Sequence, residues 1–78
     1  RRWRRVSWKS ERNGRIPTRL KMRRKQKNLS REEVAARAGI SLSGYLDLEA
    51  GRWYPRLDTA YRLARVLAAA VDELWPDD

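Results

Sequence analysis

The first eight residues, Arg-Arg-Trp-Arg-Arg-Val-Ser-Trp, interleave four guanidinium groups with two indoles. Arginine donates paired hydrogen bonds to phosphate and tryptophan stacks on bases, a combination suited to a nucleic-acid arm. The same mixture suits the headgroup layer of an anionic membrane, so these residues alone leave both partners open. Residues 9–15 show no helical or alternating apolar pattern and contain the turn pair Asn13-Gly14. Residues 1–15 are therefore expected to form a flexible basic arm, with Arg1, Arg2, Arg4, Arg5, Arg12 and Arg15 as its polyanion-contacting groups.

Catalytic chemistry is poorly served. The chain has no Cys and no His, which removes disulfides, thiolate or imidazole metal sites, and Cys–His or Ser–His nucleophile pairs. Glu32/Glu33 and Asp72/Glu73 are adjacent in sequence and point different ways on a helix, so neither forms a facing acid–base couple. Both pairs fit N-terminal capping instead. With no nucleotide loop either, no catalytic residue, metal or cofactor is expected. There is no run of about 18 apolar residues to span a membrane, and no apolar stretch after the opening arginines to make a secretory signal. The lack of Cys fits any compartment.

Charge divides the chain. Residues 1–31 carry 14 basic groups against one acid, Glu11, a net of +13; residues 32–78 carry five against nine, a net of −4. Such asymmetry implies a polyanion-facing end on a mildly acidic globular body.

The elements that position these groups are helical. At 78 residues the chain makes one small domain, and Ala, Leu, Arg and Glu dominate its second half while Phe is absent. Pro17 suits a first helical position, and Ile16, Leu20 and Met22 supply a thin apolar stripe, giving a helix over about 17–27 that Asn28-Leu29 breaks. Ser30 and Glu33 form a capping box for a helix over 30–38 that buries Val34, Ala35 and Ala38 and ends at Gly39. Ser41 opens a third helix that closes at Gly51. A fourth over about 57–68 has Leu57, Ala60, Ala64 and Leu67 at core spacing, and a short fifth over 72–75 stops at Pro76.

Two short helices joined by Ala-Gly-Ile-Ser have the layout of a helix-turn-helix, with its core at about residues 30–50. Val34, Ala35, Ile40 and Leu48 fill the angle between them, and the front of the second helix projects outward, where it can enter a DNA major groove. An ordinary helical hairpin would use the same Gly and the same spacing.

Residues 19–75 also resemble a known family. Leu29-Ser30, Val34-Ala35, Ala38-Gly39-Ile40-Ser41, Leu48-Glu49-Ala50-Gly51, Pro55, Thr59, Leu63-Ala64, Leu67 and Asp72-Glu73-Leu74 fall in the register of the Cro/phage-repressor (XRE-like) helix-turn-helix proteins. The resemblance implies an all-α, five-helix lambda-repressor-like domain over residues 16–76. It also implies a cytoplasmic, nucleoid-associated transcription regulator or repressor that binds double-stranded DNA, commonly as a homodimer. Carried over by position, Arg31 reaches a phosphate or outer base edge. Ser41, Leu42, Ser43, Gly44 and Asp47 take base-facing positions, and Arg52 lies near the DNA backbone. Arg24 and Glu49 form a structural ion pair, and Trp75 with the helix 4–5 region offers dimer contacts.

Some positions depart from the family pattern. Leu42, Gly44, Leu46 and Asp47 stand where purine-reading side chains are usual. Leu42 and Leu46, with Trp53 and Tyr54, make a candidate apolar patch for a protein partner of the antitoxin or anti-repressor type, unless Leu46 and Tyr45 have exchanged facing. Arg23 replaces a core leucine and is expected to leave helix 1 thinly anchored. Ala68-Ala69-Ala70 replaces a Gly-containing break, so helices 4 and 5 are expected to join less sharply.

Overall fold

The computed structural model describes residues 15–76; Arg1, Arg2, Arg4, Arg5 and Arg12 of the expected arm lie outside them. Five helices carry the chain: α1 Leu20–Gln26, α2 Arg31–Ala38, α3 Leu42–Glu49, α4 Leu57–Val66 and α5 Val71–Leu74. No strand occurs among the described residues. Helix α2 packs on both α3 and α4, α1 meets α3, and α5 closes against α4. Val34, Tyr45, Leu20, Leu63, Leu67 and Leu74 are the large side chains sealed where these helices meet.

Local chemistry sets the boundaries. Ser30 Oγ accepts from Glu33 N at 3.0 Å while Glu33 Oε1 accepts from Ser30 N at 2.8 Å, so α2 begins with both halves of its capping box. The other helices lack that complete device, but four helices end alike. After each of α1 to α4 one residue turns left-handed: Asn28 at φ 58°, Gly39 at 73°, Gly51 at 78° and Ala68 at 53°. Each time, its amide and the next one return to carbonyls of the last turn, as in Ile40 N to Ala35 O at 3.0 Å and Ala69 N to Ala64 O at 3.0 Å. This is the Schellman arrangement, which satisfies the orphan carbonyls of a helix end.

Several expectations are corrected. Helix α1 begins at Leu20, not at Pro17; the segment before it is instead tied to the ends of α3 and α5, Ile16 N donating to Gly51 O at 2.7 Å and Arg19 N to Leu74 O at 2.9 Å. Met22 and Leu57 are exposed rather than core-facing, and Trp75 is buried within the chain's own core, which removes it as a dimer contact. Helix α5 starts one residue early, at Val71, with Glu73 Oε1 accepting from the Ala70 amide at 2.8 Å.

Arg23 is not a weak point in the anchoring of α1: its Nε donates to Leu67 O at 3.0 Å and its Nη2 to Ala68 O at 2.7 Å, holding α1 against the end of α4. The α4–α5 junction is as sharp as a glycine would make it, because Ala68 takes the left-handed conformation. For a residue with a Cβ this costs roughly 1–2 kcal/mol. Replacing Ala68 with Gly is accordingly expected to stabilise the domain by about 1 kcal/mol, less a few tenths for the added freedom of the unfolded chain. A thermal melt should show a midpoint higher by several degrees, and an unchanged or lower midpoint would contradict the strain.

Candidate nucleic-acid interface

Helix α3 has two faces. Ser41 caps it, its Oγ accepting from Gly44 N at 3.0 Å, so the hydroxyl's acceptor role and the Gly44 amide are engaged with each other. A side chain at position 44 would crowd that cap, its Cβ lying 3.0 Å from Ser41 Oγ. Leu42, Ser43 and Leu46 lie exposed at i, i+1 and i+4, with Asp47 half-exposed beside them, while Tyr45 and Leu48 turn inward. Tyr45 and Leu46 have not exchanged facing: Tyr45 is 0% exposed and Leu46 42%. The buried ring is tolerated because its hydroxyl donates to Glu49 Oε2, one turn on, at 2.8 Å.

Glu49 is the electrostatic centre of this region. Its side chain is only 7% exposed, and both oxygens are used. Arg24 Nε donates to Oε2 at 2.8 Å, and Arg31 Nε donates to Oε1 at 2.9 Å. Arg24 is buried beneath, with Nη1 donating to Leu29 O at 3.0 Å. Burial by itself raises the Glu49 pKa, but the donors Arg24, Arg31 and Tyr45 outweigh it and hold the carboxyl below its ordinary value. The Arg24 pKa is raised, chiefly by its bond to Glu49. Burial and then the bond to Glu49 push the Tyr45 hydroxyl well above the usual tyrosine value.

Arginines gather at the C-terminal end of α3. Arg31, at the first turn of α2, keeps 47% of its side chain exposed while tied to Glu49. Arg52 Nε lies 3.4 Å from Asp47 Oδ1, so two residues singled out separately in the sequence meet each other. Arg15, counted with the arm, donates from Nη1 to Ala50 O at 2.7 Å and so completes the end of α3. Leu42, Leu46 and Trp53 leave apolar surface exposed in this region, with Tyr54 half-buried. Sequence reasoning missed the links of Tyr45 and Arg31 to Glu49. The i, i+4 spacing of Tyr45 and Glu49 was a usable signal; Arg31 and Glu49, 18 residues apart, gave none. Among the described residues no cluster of acids could hold a metal ion, and no helix is long and apolar enough to cross a membrane.

Comparison with known proteins agrees with the five-helix fold. A sequence model of the helix-turn-helix family matches residues 20–74. An uncharacterized HTH-type transcriptional regulator of Archaeoglobus fulgidus is 36% identical over 58 residues, covering 74% of this chain and 82% of the relative. Among solved structures, the restriction-modification controller protein C.AhdI from Aeromonas hydrophila superimposes with a TM-score of 0.66 at 31% identity, over 70% of this chain and 83% of that one. The N-terminal DNA binding domain of SinR from Bacillus subtilis gives a TM-score of 0.70 at 28% identity, over 77% and 88%. Against a chain of the SinR/SinI protein complex the match spans 58% of that chain.

Proposed function

Because the chain belongs to the helix-turn-helix family, we propose that it is a DNA-binding transcription regulator, non-enzymatic, whose α3 enters the major groove. The observation that carries this reading is the division of α3 into an anchored face and an exposed one, with Arg31 and Arg52 beside the exposed face. Arg31 and Arg52 take phosphates. Ser43 offers a hydroxyl to a base edge, Leu42 and Leu46 meet thymine methyls, and Asp47 accepts from a cytosine amino group. Ser41 and Gly44 set the entry of the helix. Arg24 and Glu49 support the face from beneath, and Arg1, Arg2, Arg4, Arg5, Arg12 and Arg15 add phosphate contacts. A homodimer on a two-fold site, acting as a repressor in the compartment that holds the DNA, completes the proposal.

Titration against duplex DNA at graded salt tests it. Affinity is expected to fall linearly on a log–log plot with a slope of about −0.9 per phosphate neutralised. A folded protein that ignores duplex DNA even in dilute buffer would end the reading. The exposed Leu42, Leu46 and Trp53 favour a second reading, a protein-interaction module of antitoxin or anti-repressor type on the same scaffold. The same titration separates the two, since a module without duplex affinity gives no binding to plot.

A further inference from the structure

We propose that Glu49, although an acid in a DNA-facing region, is the positioning residue for Arg31: it grips one edge of that guanidinium so that the other edge meets a phosphate. The proposal rests on the DNA-binding reading above and adds to it a specific device.

One carboxylate serves two arginines. Arg24 and the Tyr45 hydroxyl hold Oε2 from the buried side, which fixes Glu49 in place. Oε1 is left to accept from Arg31 Nε at 2.9 Å. That bond uses one of the five N–H groups of Arg31. Its terminal nitrogens take no other partner among the described residues, and nearly half of the side chain is exposed. A guanidinium held at Nε keeps its Nη groups for paired donation to phosphate. An arginine already immobilised loses less rotamer freedom when it binds. Two positive groups against one negative also leave the cluster cationic, so Glu49 orients Arg31 without cancelling the field.

The charge on Glu49 makes the test decisive. If the acid acted only through its field, Glu49→Gln would strengthen binding to DNA, because it removes a negative charge. If it acted only by holding the fold through Arg24, Glu49→Gln would weaken binding equally whether or not Arg31 were present. Positioning predicts a third pattern in a double-mutant cycle measured by anisotropy on a short fluorescent duplex of mixed sequence. Glu49→Gln should weaken binding about tenfold with Arg31 present, but less than about twofold in an Arg31→Gln background. Tighter binding by Glu49→Gln, or equal losses in both backgrounds, would overturn the proposal.

Should Glu49→Gln fail to fold, nitrogen-detected NMR on the unaltered protein without DNA decides. The Arg31 Nε–H should exchange slowly and resolve from the exposed Arg37 and Arg65 signals. Coincidence with those signals would overturn it. Wild-type protein that binds no duplex would instead remove the DNA-binding reading and this inference with it; binding with a steep salt slope but no coupling would remove only the inference.

Discussion

Glu49→Ala is expected to cost about 3–5 kcal/mol of folding stability, the range for stripping one partner from a buried ion pair. The substitution leaves Arg24 buried without its carboxylate, the Tyr45 hydroxyl without its acceptor, and Arg31 loose at the surface. Small domains have only about 5–15 kcal/mol in total, so urea unfolding should shift to a far lower midpoint. A loss below about 1 kcal/mol would place Glu49 among ordinary surface acids. The same cluster makes stability depend on pH. The Glu49 carboxyl is held below its ordinary value in the folded state and returns to that value on unfolding. Above the ordinary value both states are ionised and the full contribution is present. As pH falls below it, the unfolded chain takes up the proton first and the contribution drains away. Glu33, lowered chiefly by the Ser30 amide, acts with the same sign. Wild-type stability should therefore decline with acid below the ordinary carboxylate range, and the decline should be shallower in Glu49→Ala.

Gly51→Ala carries the second large effect, expected to be about 2–4 kcal/mol from left-handed strain together with overpacking. Gly51 sits at φ 78°, and an added Cβ would lie 2.5 Å from Ile16 O and 3.2 Å from Ile16 N. Both are backbone atoms, so no rotamer change relieves the clash. Relief requires the 15–19 segment to withdraw, which breaks the Ile16 amide's bond to Gly51 O and lifts Arg15 from Ala50 O. Gly39→Ala is the informative comparison: φ is 73° there, but the nearest neighbour of an added Cβ is the mobile end of Arg62 at 4.0 Å. It should show the strain alone. If thermal melts gave the two variants equal losses, the close approach of Ile16 would be contradicted.

Much of this architecture was legible because the chemistry involved is local. The Ser30–Glu33 box and the glycines at 39 and 51 mark the ends of α2 and α3, and these bound the helix-turn-helix. Ala68 was illegible, since nothing in an alanine signals a left-handed turn; the turn follows from burying Leu67 and Leu74 on either side of it. Arg23 looked like a gap in an apolar stripe because hydrophobic periodicity has no place for an arginine that binds the carbonyls of another helix. The facing of Tyr45 against Leu46 was ambiguous from spacing, as neighbouring residues both fit a core edge. The hydroxyl's bond to Glu49 decides it. At the candidate site, the residues of α3 were identifiable by position, whereas the pairing of Asp47 with Arg52 and of Arg31 with Glu49 depends on side-chain geometry.

If the exposed face of α3 occupies a major groove, guanine N7, which lies in that groove, reports on it directly. Methylation by dimethyl sulfate can be followed on a duplex fragment selected by its binding to this protein. Guanines within the bound site are expected to be protected at N7. Bound duplex whose guanines methylate at N7 as fast as they do in free DNA would contradict it.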